Sequence, residues 1–197
     1  MMKTESLLTQ TKRWLRQFDL QARKGLGQHF LIDEEVLKLI TSAAGLTSTD
    51  VIMEAGPGLG ILTRELARQA GWVVAIELDS KLAIALGKNL ASFDNVSIIN
   101  KDILQIDPAA LLQEQKTKFP RVISSYKVVA NLPYYITSPV LRHFLKASVK
   151  PQIMVVMVQK EVAEAIVAKP GQMSVLSISV QFYGEPRIIS YVPAQCF

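Results

Sequence analysis

Cysteine is nearly missing from this chain: Cys196 is the only one. That excludes an internal disulfide framework and fits a reducing, cytoplasmic compartment. Histidine is scarce as well, with only His29 and His143, so no zinc or other metal site is expected. Long apolar runs are lacking. A helix that crosses a bilayer needs about 20 such residues, whereas the run Ile153–Val158 has six. The N-terminus has no apolar core of the kind a secretory signal requires, so neither export nor a membrane partner is expected. Internal repeats and low-complexity segments are also missing. One further absence is local. Position 61 is isoleucine, and the G-x-G-x-x-G fingerprint of dinucleotide-binding sheets would need glycine there.

The 197 residues are 49% hydrophobic and 20% charged, enough for one domain with a real core. The net charge of +5 is unevenly placed. Residues 1–24 hold six cations (Lys3, Lys12, Arg13, Arg16, Arg23, Lys24) against Glu5 and Asp19, which is +4 of the total. A basic N-terminal arm on a nearly neutral body points to a polyanion such as nucleic acid; a solvated tail that aids solubility is the other reading.

Leu7, Leu8, Trp14, Leu15 and Phe18 recur at helical spacing, which predicts an amphipathic helix over about 5–18. Asp33 is placed to cap a helix that Gly45 stops. Apolar runs predict strands near 51–55, 73–77, 96–100, 127–131 and 152–158. Between them, helices are predicted near 61–70, 80–91, 108–115, 138–148 and 159–168. Such alternation defines an α/β fold, a mostly parallel sheet with helices on both faces. Residues 174–182 suit a helix or a strand, and 187–192 read as a strand after the Gly184-Glu185-Pro186 turn. The chain then stops at Phe197 without a polar tail, as expected of a piece of a longer protein.

Three short segments carry chemistry. The first is Glu54-Ala55-Gly56-Pro57-Gly58-Leu59-Gly60, directly after the apolar run Val51-Ile52-Met53. Glycines allow positive φ and close approach of a ligand to the backbone, and the next helix aims free N–H groups at the loop. A tight structural turn is the plainer reading of Gly56, Gly58 and Gly60. The second is Glu77, which ends the apolar run 73–76. A carboxylate there can accept both hydroxyls of a ribose, so loop and acid together suggest an adenosine-containing cofactor. Asp102, after the third strand, can meet an adenine amino group or simply cap a turn.

The third segment is Asn131-Leu132-Pro133-Tyr134-Tyr135-Ile136, at the predicted end of the fourth strand. Asn offers an acceptor and two donors, Pro stiffens the turn, and an aromatic ring can stack on a flat base. The exocyclic nitrogen of adenine is a poor nucleophile because its lone pair is delocalised into the ring. Hydrogen bonds from its N–H groups to a side-chain carbonyl and a backbone carbonyl would draw it toward a pyramidal, more nucleophilic form. A rigid strand-to-helix turn with packing tyrosines is the competing reading.

Together with Lys24-Gly25-Leu26-Gly27-Gln28-His29-Phe30-Leu31, Val74-Ala75-Ile76-Glu77-Leu78-Asp79 and Val158-Gln159-Lys160-Glu161-Val162-Ala163, these segments resemble the ribosomal RNA adenine N6-dimethyltransferase family, in its bacterial small-subunit branch. The resemblance runs from about residue 20 to the end. It implies a Rossmann-like, S-adenosyl-L-methionine-dependent methyltransferase domain over 25–197, following the basic arm at 1–24. It implies that His29, Leu31, Gly56, Gly58, Gly60, Glu77, Asp102 and Asn131 surround the cofactor. Asn131 would also face the target base. Leu132 or Pro133 would supply the backbone carbonyl, Tyr134 would stack on the adenine, and Phe197 would close its other face. The implied partner is 16S rRNA in the immature 30S subunit. Two adjacent adenosines of a 3′-terminal hairpin loop would each be methylated twice, by a monomeric enzyme.

The chain departs from the family's pattern at Met173-Ser174-Val175-Leu176-Ser177, where the family usually has Tyr-Gly before Leu-Ser. The family also continues past Phe197 with a further strand, which inserts antiparallel into the sheet, and a small helical domain. Cofactor binding is therefore expected to survive better than RNA methylation, and the final predicted strand to be displaced or disordered. Other readings are a large-subunit rRNA resistance methylase, a nicotinamide-dependent dehydrogenase and a non-catalytic RNA-binding relative. Ile61, and the lack of an acid–base His or a Lys–Tyr pair, count against the dehydrogenase.

Overall fold

A computed structural model describes residues 5–20, 30–119 and 125–197. Five parallel strands form one sheet: β1 (Val51–Ala55), β2 (Trp72–Glu77), β3 (Val96–Asn100), β4 (Lys127–Asn131) and β5 (Ile153–Met157), in the order β3-β2-β1-β4-β5. Every central strand is apolar on both faces because both faces are covered. The helices are α1 (Leu7–Gln17), α2 (Glu34–Ala44), α3 (Ile61–Gln69), α4 (Ser80–Asn89), α5 (Pro108–Gln115), α6 (Thr137–Lys146), α7 (Lys160–Ile166) and α8 (Val175–Gln181). None of the described helices is long and apolar enough to cross a membrane.

The period of two along a strand sorts the core. Ile52, Val73 and Val129 face α1, α2 and α3, packing with Trp14, Leu37, Ile40 and Leu66. Val51, Met53, Val74 and Val128 face the other way, against Leu111 of α5 and Val140 and Phe144 of α6. The predicted caps form. Asp33 accepts the N–H groups of Glu35 (2.9 Å) and Val36 (3.1 Å), and Gly45 ends α2 at φ 52°. The ambiguous stretch 174–182 is a helix, because Ser174 and Ser177 close a reciprocal capping box at its start.

The strand predicted at 187–192 does not form. The sheet ends at β5, and among the described residues no strand pairs with its outer edge. A strand exists only as one side of a ladder. Outside any ladder, Ile189 and Tyr191 are about half exposed.

One buried ion pair ties the first helix layer to the sheet. Lys127 opens β4 and is 7% exposed. Its Nζ donates to the carbonyls of Ala44 (3.1 Å) and Gly45 (2.8 Å) and to the Asp50 carboxylate (2.9 Å). It thus satisfies orphan carbonyls at the end of α2 and anchors the turn into β1. Burial alone would raise the Asp50 pKa. Bonds from Lys127 and from the N–H and hydroxyl of Thr47 outweigh burial and hold it below the usual carboxylate range. Lys127→Ala leaves an acid and two carbonyls without their donor, so urea unfolding should show a loss of about 3 kcal/mol. A loss below about 1 kcal/mol would mean that water replaces the ammonium freely.

Candidate active site

The strand order reverses between β1 and β4, and the C-terminal ends of the strands open there into a cavity of about 430 Å³. This is where open α/β sheets bind ligands. Its floor is the glycine loop that leaves β1. Gly56, Gly58 and Gly60 all have positive φ, at 69°, 58° and 87°. Gly56 and Gly58 line the cavity. A Cβ on Gly58 would stand 3.0 Å from the Phe30 ring, which forms part of the wall. Gly60 does something different. It precedes α3, lies off the cavity lining, and a Cβ there would come within 2.5 Å of Leu86. Its job is close packing of the loop against α4, which Asn89 secures by donating to the Leu59 carbonyl at 3.0 Å.

Glu77 ends β2 and is 6% exposed. One carboxylate oxygen accepts the Gly58 N–H at 3.0 Å and the other accepts the Asp79 N–H at 2.9 Å. Burial pushes its pKa above the ordinary value, and these two N–H donors oppose the shift. A carboxylate has about four lone-pair sites, so acceptor capacity remains for a ligand. Across the ladder from Glu77, Asn100 braces the strand end by donating to the Glu77 carbonyl at 2.8 Å. Asp102 lines the cavity and also caps a 3-10 turn, accepting the Leu104 N–H at 2.9 Å.

On the opposite side of β1, Asn131 ends β4, and Asn131, Pro133 and Tyr134 line the cavity. Leu132 is 1% exposed and donates its N–H to the Met157 carbonyl at 3.2 Å, locking the turn to β5. The Pro133 carbonyl accepts the Ile136 N–H at 3.1 Å and so starts the 3-10 turn that leads into α6. Leu31, 4% exposed, is also on the lining. Phe197 is half-buried against the core cluster that contains Leu31, off the cavity lining. His29 lies outside the described residues.

Sequence reasoning missed one acid. Glu54 is 1% exposed and borders the cavity. Alternation along β1 puts it on the Ile52 face, toward Thr63 of α3. Neither its Oε2 nor the buried Thr63 hydroxyl has a hydrogen-bond partner among the described residues. Burial pushes the Glu54 carboxyl up to about 8; the nearby Thr63 hydroxyl opposes the shift without closing a hydrogen bond, and the charge of Glu77 adds to it. The available signal was a lone carboxylate inside an otherwise apolar strand.

Fold and site define a class: a Rossmann-like methyltransferase domain, in which a glycine loop and a strand-end acid face a polar Asn turn across one cavity. Residues 19–197 match the ribosomal RNA adenine dimethylase family, and the chain belongs to it. It is 52% identical over 194 residues to a ribosomal RNA small subunit methyltransferase A of Dehalococcoides mccartyi, covering 98% of this chain and 64% of that protein. A protein of the same name from Geobacillus thermodenitrificans is 42% identical over 189 residues, covering 95% and 63%. The chain thus spans just under two thirds of the length of these curated relatives. Among solved structures, the 23S rRNA methyltransferase ErmE superposes with a TM-score of 0.63 at 30% identity, covering 76% of this chain and 56% of that one. A dimethyladenosine transferase from Plasmodium falciparum also scores 0.63, at 27% identity, covering 78% and 52%.

The buried acid makes a test of the site's electrostatics. An ordinary glutamate titrates near 4.5, against about 8 for Glu54 in the folded protein. Between those values the folded state keeps a proton that the unfolded chain has lost, so stability falls as pH rises across that window. Glu54→Gln removes this loss. Calorimetry should find the variant's Tm close to wild type near pH 5 and several degrees above it near pH 8.5. Parallel Tm–pH curves would show that Glu54 is ionised in the folded protein.

Proposed function

We propose that this chain binds S-adenosyl-L-methionine in the cavity and methylates N6 of adenine in ribosomal RNA. In full, it would dimethylate two adjacent adenosines of a 3′-terminal 16S rRNA hairpin loop in the immature 30S subunit. One observation carries the reading. Glu77 from β2 and Asn131 from β4 line a single cavity on either side of the glycine loop. The names of the curated relatives support a small-subunit substrate.

The residues present fit the cofactor. The volume of about 430 Å³ falls within the range of about 300–1,000 Å³ usual for small-molecule sites. Glu77 has lone pairs left for ribose hydroxyls, and Asp102, on the same lining, would meet an adenine amino group. The unpartnered Glu54 oxygen matches the one ammonium the cofactor carries. Leu31 and the backbone at Gly56 and Gly58 complete the walls. When bound, the cofactor supplies an electrophilic sulfonium methyl group.

The chain's own part is to hold and sharpen the nucleophile. The Asn131 side-chain carbonyl accepts one N–H of the target amino group and a turn carbonyl accepts the other. Leu132 or Pro133 supplies that carbonyl; Pro133 lines the cavity, and its carbonyl keeps a second lone pair beside the one that accepts the Ile136 N–H. These bonds draw the nitrogen lone pair out of conjugation, so no strong general base is needed before attack. Tyr134 stacks on the base and keeps it in line with the methyl group, and the apolar walls exclude water. An unpaired loop is where a base is most cheaply presented.

Methyl transfer to immature 30S subunits tests this directly. Asn131→Ala should lower dimethyladenosine formation at least about 100-fold, while cofactor affinity by calorimetric titration changes only a few-fold. Undiminished product would remove Asn131 from the chemistry. A wild-type chain that binds no cofactor would remove the whole reading.

A further inference from the structure

The basic N-terminal segment does not trail from the domain; its described part is a docked helix. Trp14 of α1 is 5% exposed, packed in the core cluster with α2 and α3. The Arg64 guanidinium sits 4.8 Å over the Trp14 ring and donates to Gln10 Oε1 at 3.2 Å. On the α4 side, the Lys88 ammonium lies 5.5 Å from the centre of the Phe18 ring. At about 100° per residue, Lys12 and Arg16 project on the side opposite Trp14, and both are exposed. Arg13 flanks them and is paired with Glu5 at 3.0 Å. Helix α1 contains no acidic residue. Among the described residues, neither Lys12 nor Arg16 makes an ion pair.

The helix therefore buries its apolar stripe and shows solvent a ridge of cations. A basic amphipathic helix can also bind an anionic membrane, but it needs a free apolar face to do so, and here that face is against α3 and α4. What remains is a row of cations with one exposed apolar side chain, Leu8, one turn before Lys12, too little apolar surface to seat in a bilayer, and this suits a phosphate backbone. Lys12 and Arg16 stand about 6 Å apart along the helix axis, close to the separation of neighbouring phosphates on one strand. The ridge is also near the site. Arg64, which covers Trp14, is one turn beyond Gly60, the cap of α3 at the end of the glycine loop.

We propose that the outward face of α1, through Lys12 and Arg16, binds backbone phosphates of the substrate RNA beside the target adenosine. This rests on the RNA-methyltransferase reading above. The test measures affinity for an RNA hairpin with two adjacent loop adenosines over a range of KCl concentrations. Each phosphate contact contributes about 0.7–0.9 to the slope of log K against log salt. The double variant Lys12→Gln/Arg16→Gln should therefore flatten the slope by about 1.4–1.8, and Arg16→Gln alone by about half that. Cofactor affinity and the urea midpoint should not change. Lys116→Gln/Lys118→Gln removes the same charge from exposed positions after α5 and should leave the slope as it is.

An unchanged slope for the α1 variants overturns the proposal, as does an equal drop for the α5 control. Wild-type binding to anionic lipid vesicles that the α1 variant loses overturns it as well. Hairpin methylation by wild type alongside an unchanged slope sinks this proposal alone. A flattened slope without any methyl transfer supports the ridge and counts against the catalytic reading.

Discussion

Hydrogen bonding of β1 on both of its edges is the constraint from which the site follows. β2 pairs with one edge and β4 with the other, all parallel. Chains leaving the tops of β1 and β4 must therefore diverge to helices on opposite faces, and a gap opens between them. Into that gap β1 delivers the glycine loop, β2 delivers Glu77, and β4 delivers Asn131. No side chain of the site has to seek the others; the ladder places them. Lys127 supports the same arrangement from below, because it joins the end of α2 to the first residue of β4.

The site also stores electrostatic imbalance. Glu54 and Glu77 are both buried, and the charge of Glu77 makes Glu54 harder to ionise. Glu77 is compensated by two backbone N–H groups, that of Gly58 in the loop it braces and that of Asp79 just past its own strand, while the Glu54 Oε2 has none. A buried polar atom without a partner is costly. Placed at a cavity wall, such an atom is a reason to expect a cationic group on the ligand. The glycine loop thus does two jobs: it gives Glu77 a donor, and at Gly60 it lets α3 and α4 close behind the cavity.

Much of the fold was legible because it rests on short-range rules. Nearly continuous apolar runs of five or six residues read as strands buried on both faces, and β1 to β5 sit within a residue of the expected bounds. Asp33 and Gly45 marked α2 because caps are local hydrogen bonds. Residues 187–192 misled for the complementary reason. Their composition suits a strand, but a strand requires a neighbour, and none is described beside β5. The stretch 174–182 was undecided from composition and became helical through the Ser174–Ser177 box.

The sequence by itself determined the order of elements, the glycine spacing that disfavours a dinucleotide, the Asn-Leu-Pro-Tyr turn, and so the family. Each of these is written in residues adjacent along the chain. Tertiary structure alone decided how they combine. It put Glu54 beside Glu77 across the β1–β2 ladder and gave Gly60 a packing role against Leu86. It engaged the Pro133 carbonyl with the Ile136 N–H at the start of the turn into α6. It also turned a basic N-terminal segment into a docked helix, with Trp14 inward and Lys12 and Arg16 outward. All of these, the turn at Pro133 apart, depend on contacts between residues far apart in sequence. Spacing along a chain can suggest such contacts, but only packing and the hydrogen-bonded ladder can make them.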